Sequence, residues 1–432
     1  NLLGCEHGAQ GNATGEKHIL IANDLSPSET AMLNVEEVIG IATELGSRTS
    51  HSVIMARSLN IPCVVGLRDL LEIADFGDQI LVDGYKGFVY LNPSAETLDR
   101  YGRLETEQRH IREQYLSELS LPCVSLDEVE YRLLVNVEGV EPHDRLKNCG
   151  CSGIGLFRTE NLFLGASHFP SEDHQYTVYR DLVESMKPNP VTIRTLDLGG
   201  DKNPHRSMMG YQEANPFMGF RGIRFCLEHG SLFKEQLRAI LRASAHGTVK
   251  VLYPMISSVG ELQKANHFLK EAQDELRERG ESFDPEIQTG AMIEVPSAAV
   301  ITDLLADHCD FFSIGTNDLM QYLLAVDRVN DRIAYLYEAN QPAVIRTLNF
   351  IFQQGKMRNV PVSVCGELAG DPLYAPLLLG LGASELSVAM GSLPKIKYLL
   401  RRMRHQDAKH LAVATLRCQT SEEIQTTLEA FY

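Results

Sequence analysis

The feature that most limits what this chain can fold into is a count. After Pro122, eight short apolar, strand-like runs occur at 132–137, 153–157, 191–196, 249–255, 291–295, 311–314, 361–364 and 385–388. Most are separated by stretches of helical period, among them 232–245, 259–279 and 344–357. Strands that alternate with helices are joined by crossover connections, which make the sheet parallel and bury both of its faces. Eight such units over roughly 300 residues predict a (β/α)8 barrel of the TIM type. An open doubly wound sheet is the alternative. No 20-to-50-residue repeat and no low-complexity tract competes with either.

The first ninety residues have a different rhythm. Residues 1–16 are Gly-rich and polar, and read as a loose entry. Apolar runs at 19–22, 38–42, 63–65 and 80–82, bounded by Pro, Gly and Asp, predict a small mixed α/β domain over 1–94. Residues 95–120, rich in Glu, Gln, Arg and Leu without Pro, predict a solvated linker helix, leaving 121–432 to the barrel. Within the first domain, Gly46-Ser47-Arg48-Thr49-Ser50-His51 runs from a polar turn into an apolar segment carrying Val53, Ile54 and Leu59. His51 is therefore expected in a first helical turn, where free amides and the helix dipole favour an anion by roughly 0.3 to 1 kcal/mol. A histidine so placed can carry a phosphoryl group as nucleophile and then donor. The plainer reading is a histidine that caps a helix.

Composition narrows the function classes. With 44% hydrophobic and 22% charged residues, the chain is an ordinary globular protein. A net charge of -17 argues against nucleic-acid or membrane-surface binding, both of which need a positive footprint. No apolar run reaches the ~18 to 20 residues of a membrane span, and the start lacks the order of a signal peptide. Nine scattered cysteines without a Cys-x-x-Cys suit free thiols in a reducing cytoplasm. Cys149 and Cys151, which flank one glycine, read as such thiols rather than as metal ligands.

In a barrel of this type chemistry sits at the C-terminal ends of the strands. The residues there are polar at five ends: Arg158-Thr159-Glu160, Arg194-Thr195-Leu196-Asp197, Glu294-Val295-Pro296, Gly315-Thr316-Asn317-Asp318 and Cys365-Gly366-Glu367. Glu294 and Asp318 are 24 positions apart, about one βα unit, so both carboxylates are expected at neighbouring strand ends. Two hard oxygen donors suit Mg²⁺. Structural pairing with arginines is the other reading. Arg158, Arg194 and Arg328 at the same mouth would bind a small multiply anionic substrate bidentately, or else form surface ion pairs. Cys365 is either a core thiol or a proton donor to bound substrate.

Taken together these motifs resemble Enzyme I of the bacterial phosphoenolpyruvate-dependent sugar phosphotransferase system. The resemblance rests on Gly46-Ser-Arg-Thr-Ser-His51 with Met55-Ala-Arg-Ser-Leu59, Arg194-Thr-Leu-Asp-Leu-Gly-Gly-Asp-Lys202 and Asn215-Pro-Phe-Met-Gly-Phe-Arg221. Asp310-Phe-Phe-Ser-Ile-Gly-Thr-Asn-Asp-Leu-Met-Gln-Tyr322, Ala325-Val-Asp-Arg328 and Cys365-Gly-Glu-Leu-Ala-Gly-Asp371 complete it, so nearly the whole chain is covered. It implies that His51 is the phosphorylated nucleophile, that Glu294 and Asp318 hold Mg²⁺, and that Arg158, Arg194, Asn317, Asp318 and Arg328 bind phosphoenolpyruvate. Cys365 would protonate the leaving enolpyruvate to pyruvate. Lys202 and Arg221 match without an assigned role. A histidine-containing phosphocarrier protein is the implied acceptor, and a homodimer through the barrel the implied assembly. The sequence starts without most of the helical segment that docks that carrier in the family, and has Ser47 where the family more often has Gly. A nitrogen-related paralogue with the same catalytic parts is the alternative pathway, and a non-catalytic phosphate-relay protein the alternative class. Pyruvate phosphate dikinase and phosphoenolpyruvate synthase share both domains but add an ATP-binding domain, for which no segment is found.

Overall fold

The computed structural model describes residues 17–25, 33–34, 37–46, 53, 56, 61–139, 142–164, 169–198, 213, 215–330 and 332–431. It packs as two compact units, 1–114 with 326–337, and 115–325 with 338–432.

In the second unit every one of the eight expected runs contains a strand. They are β6 (Arg132–Val137), β7 (Ile154–Arg158), β8 (Val191–Arg194), β9 (Val249–Tyr253), β10 (Gln288–Ile293), β11 (Phe311–Ile314), β12 (Val362–Val364) and β13 (Glu385–Ala389), numbered after five strands of the first unit. Each pairs in parallel with the next, and β13 pairs back onto β6, so the sheet closes into a barrel. Val135, Ile154, Val191, Val251, Ala291, Ile314, Val364 and Leu386 are fully buried, as strands covered on both faces must be. The sequence reading overshoots at Leu196, Met255 and Val295, which lie beyond the last strand residue. Met255 shows why, since its φ of 57° turns the chain out of the ladder.

The helical layer is built from local signals. Helix Glu172–Met186 starts at Ser171, whose hydroxyl accepts from the His174 amide. Helix Val259–Glu278 starts with a capping box between Ser258 and Glu261. Helix Pro342–Arg358 has its proline in the first turn and ends at Asn359 in the left-handed region. Arg238 joins three of the helical segments, reaching Glu172 and Glu275 at 2.6 Å each.

The first unit has β1 (His18–Ala22), β2 (Val38–Thr43) and β3 (Cys63–Val64) in a parallel sheet, and β4 (Ile80–Asp83) with β5 (Phe88–Leu91) as an antiparallel hairpin. Its core gathers Leu20, Val38, Ile41, Ala56 and Ile61. Sequence reading missed β5, whose residues are exposed or half-buried and therefore carry little apolar contrast. Helix Ala95–Ser117 falls largely in this unit, and Tyr101 on it donates to Asp83 Oδ2 at the end of β4, 2.9 Å away. Val53 and Ala56 are helical; His51 and Lys202 lie outside the described residues. No helix among the described residues is long and apolar enough to cross a membrane.

Two helical glycines predict opposite outcomes on substitution. Alanine in a helix ordinarily stabilises relative to glycine by up to ~1 kcal/mol. Gly260→Ala should do so, because an added Cβ meets nothing within 4 Å. At Gly380, in helix Ala375–Leu381, the Cβ would lie 2.0 Å from the Ala408 carbonyl oxygen of helix His405–Arg417. Gly380→Ala should therefore destabilise the barrel by ~1–3 kcal/mol through overpacking. Urea midpoints of the two variants check both signs, and a more stable Gly380→Ala would mean these helices can separate freely.

Candidate active site

Strand ends supply the site, because each βα turn leaves its first polar side chain at the rim of the barrel. Arg194, the last residue of β8, is buried, and its Nη2 donates to Glu160 Oε1 just past β7 at 2.9 Å. Its Nη1 pairs with Asp197 Oδ2 at 3.2 Å. Asp197 also accepts from Arg221, at 2.8 Å from Nη2 and 3.2 Å from Nε, so one carboxylate bridges two guanidinium groups. Arg221 Nη2 reaches Asp318 Oδ2 at 3.5 Å and Nη1 donates to the Tyr322 hydroxyl at 3.2 Å. Tyr322 in turn donates to the Phe217 carbonyl. Five carboxylate and guanidinium groups from distant stretches thus form one buried chain.

Glu294 follows β10 and is 1% exposed; its Oε1 accepts from the Met255 amide at 2.6 Å. A Cβ on Gly315 would lie 2.7 Å from Glu294 Oε2, so the glycine after β11 makes room for this carboxylate. Burial, and then the neighbouring charges of Asp318 and Asp197, push the Glu294 carboxyl up to about 8, with Arg194 and Arg221 opposing. Arg194 and Arg221 stay firmly charged despite burial, which their acidic partners overcome.

Arg158, the last residue of β7, pairs with Glu138. Asn317 Nδ2 donates to Glu367 Oε1 at 3.2 Å and Asn317 Oδ1 accepts from the Glu367 amide at 3.0 Å, tying the ends of β11 and β12. Cys365 packs among Leu156, Leu252, Met292 and Phe311, and its carbonyl accepts from Asn136 Nδ2 at 3.0 Å. Burial pushes its thiol up to about 11. Cys365 is thus a core residue that keeps its proton at neutral pH, which leaves its assignment as a proton donor to the proposal below. Arg328 falls in the segment 326–337, which groups with the first unit, whereas Arg158, Arg194, Asn317 and Cys365 belong to the second.

The donor set fits a hard divalent cation. Glu294 and Asp318 offer only oxygen, and their repulsion, felt in the raised Glu294 carboxyl, is what such a cation relieves. No group of three or more His, Cys, Asp or Glu side chains among the described residues is arranged to hold a metal. Two protein carboxylates would thus need substrate and water oxygens to fill the shell, the usual situation for Mg²⁺.

Glu160, Asp197, Arg221 and Tyr322 form the frame of the site, yet sequence reasoning gave them no role. Their signal was position, since the two acids stand two and three residues beyond the strand-end arginines.

Comparisons with known proteins give the family of the chain. A family model described as "PEP-utilising enzyme, PEP-binding domain" matches residues 112–405, and one described as "PEP-utilising enzyme, mobile domain" matches residues 14–87. A phosphoenolpyruvate-protein phosphotransferase of Priestia megaterium is 41% identical over 419 residues, covering 96% of this chain and 73% of that protein. The enzyme of that name from Haemophilus influenzae is 41% identical over 420 residues, covering 96% and 72%. The one from Geobacillus stearothermophilus is 40% identical over 410 residues, covering 95% and 71%. With two domain models in the expected order and relatives aligned over nearly its whole length, the chain belongs to the phosphoenolpyruvate-protein phosphotransferase family of phosphoenolpyruvate-utilising enzymes.

Proposed function

We propose that this chain takes the phosphoryl group of phosphoenolpyruvate onto His51 with Mg²⁺, releases pyruvate, and passes the group to a histidine-containing phosphocarrier protein serving sugar uptake. The observation that carries the reading is the buried run of Arg194, Asp197, Arg221, Asp318 and Glu294 at one rim of a parallel barrel. Family membership supports it.

Phosphoenolpyruvate presents a carboxylate and a phosphate on three carbons, so a binding site must supply several fixed cations. Arg158, Arg194 and Arg328 are assigned that work, with Asn317 as a neutral donor. Arg194 is preorganised by its bonds to Glu160 and Asp197. Glu294 and Asp318 would hold Mg²⁺, which when bound neutralises charge on the substrate oxygens. A His51 ring nitrogen attacks phosphorus, the bond from phosphorus to the enol oxygen breaks, and the electron pair stays on enolpyruvate. Cys365 delivers its proton to the terminal carbon to give pyruvate, and the thiolate is reprotonated from solvent. A nucleophile on one domain and a substrate on another need a hinge, a task assigned to helix Ala95–Ser117.

With phosphoenolpyruvate and Mg²⁺ the intact chain should gain one acid-labile phosphoryl group, and His51→Ala should gain none; intact-mass spectrometry reads both. Labelling that persisted in His51→Ala would remove this histidine from the reaction.

Cys365→Ala should keep its affinity for phosphoenolpyruvate and lose ~10²–10⁴-fold in pyruvate release, the usual contribution of general acid catalysis. Parent-like turnover measured by pyruvate release would leave the thiol a core residue alone.

Asp197→Ala strands two buried guanidinium groups and should cost ~3–5 kcal/mol of stability. Asp99→Ala, which breaks the exposed pair with Arg103, should leave the urea midpoint unchanged.

A further inference from the structure

The barrel has a second group of reactive side chains at the end opposite the mouth. Cys149 and Cys151 flank Gly150 on the turn that enters β7, and their Sγ atoms are 3.0 Å apart. The turn is fixed by sterics. Gly150 has φ of 70°, and a Cβ there would lie 2.2 Å from the Leu119 carbonyl oxygen, so no larger residue fits between the two cysteines. Buried Lys397, on helix Leu393–Leu400, donates through Nζ to that same Leu119 carbonyl at 2.6 Å and to the Gly150 carbonyl at 2.9 Å. An ammonium group is therefore locked onto the residue between the thiols, and its charge favours the ionised form of Cys149. Cys149 keeps 8% of its surface exposed and Cys151 keeps more, so a small disulfide can meet the pair from that side.

We propose that Cys149 and Cys151 are a redox-active dithiol that is reversibly oxidised to a disulfide by low-molecular-weight disulfides. The Cys149 thiolate attacks one sulfur of the reagent, forming a mixed disulfide and expelling the first thiolate. Cys151 then loses its proton and attacks Cys149 Sγ, expelling the second thiolate; the two protons leave with the two released thiols. One reagent disulfide is reduced and one protein dithiol oxidised, so electrons and atoms balance. The final bond needs the sulfurs to close from 3.0 Å by only about 1 Å. The hydrogen bond shared with Cys151 brings the Cys149 thiol down to about 7 against the opposing effect of burial, consistent with its role as attacking sulfur. The bond would close a loop of three residues, which constrains the unfolded chain little and keeps the reaction reversible. The site owes nothing to the catalytic reading above, since none of these residues belongs to the mouth.

The test uses the full chain in glutathione buffers of stepped ratio, quenched with acid, alkylated and digested with trypsin. Cleavage after Lys147 and Arg158 isolates a peptide, 148–158, whose only cysteines are Cys149 and Cys151. The expected result is loss of two hydrogen atoms from this peptide as glutathione disulfide rises, reversed by excess glutathione. Cys151→Ser should trap a single glutathione on Cys149, and Cys149→Ser should take up glutathione at least about tenfold more slowly, since the more ionised thiol is gone. The proposal is overturned if the parent peptide stays a dithiol at every ratio, or if it leaves joined to the peptide holding Cys123, whose thiol also faces the charge of Lys397. It is equally overturned if the two variants react at the same rate. The parent-chain readout stands even where a variant fails to fold.

Discussion

The mouth of this barrel depends on one carboxylate, Asp197, held between the guanidinium groups of Arg194 and Arg221. Around it the count of buried charges does not close. Glu160, Asp197, Asp318 and Glu294 bring four potential negative charges and Arg194 and Arg221 bring two positive ones, a balance of minus two if all are ionised. Burying such an imbalance is expensive, and Glu294 responds by holding its proton. A divalent cation held by Glu294 and Asp318, as proposed, would supply the missing charge. The frame is thus held by its arginines and keeps an excess of acid, the property that the proposed metal site would use.

Catalytic geometry then follows from where the backbone puts these groups. Glu160, Arg194, Asp197 and Glu294 stand at or just past strand ends, and the strands are locked by a closed ladder that side-chain replacement does not reach. Gly315 gives Glu294 its space, and Asn317 with Glu367 binds two neighbouring rims. Cys365 gains its high proton affinity from the same packing that makes it look like a core residue. Preorganisation of this kind needs no movement of charged groups when substrate arrives.

Much of the fold was legible in the sequence because strands buried on both faces are written as unbroken apolar runs. Each of the eight barrel strands keeps buried apolar residues even where a polar one interrupts it, while β5, exposed or half-buried throughout, left no such mark. The places of Arg158, Arg194, Glu294, Asn317, Asp318 and Cys365 at or just past strand ends were legible because they follow directly from where the strands stop. The frame was not, because Asp197 meets Arg221 across 24 positions and Arg221 meets Asp318 across 97, and no local pattern encodes those meetings. Cys149 and Cys151 illustrate the same limit. Their spacing is visible in the sequence, but the lysine that gives the pair its chemistry comes from a helix nearly 250 positions further on.

The central claim is that one chain holds both halves of a reversible phosphoryl transfer, and isotope exchange tests it most directly. Labelled pyruvate and unlabelled phosphoenolpyruvate, incubated with the chain and Mg²⁺ and with no carrier protein, exchange label only if phosphohistidine forms and returns its phosphoryl group to enolpyruvate. The account predicts label in phosphoenolpyruvate with the parent chain, and none with His51→Ala or when Mg²⁺ is removed by chelation. Absence of exchange in the parent chain, or exchange that survives His51→Ala, would contradict it.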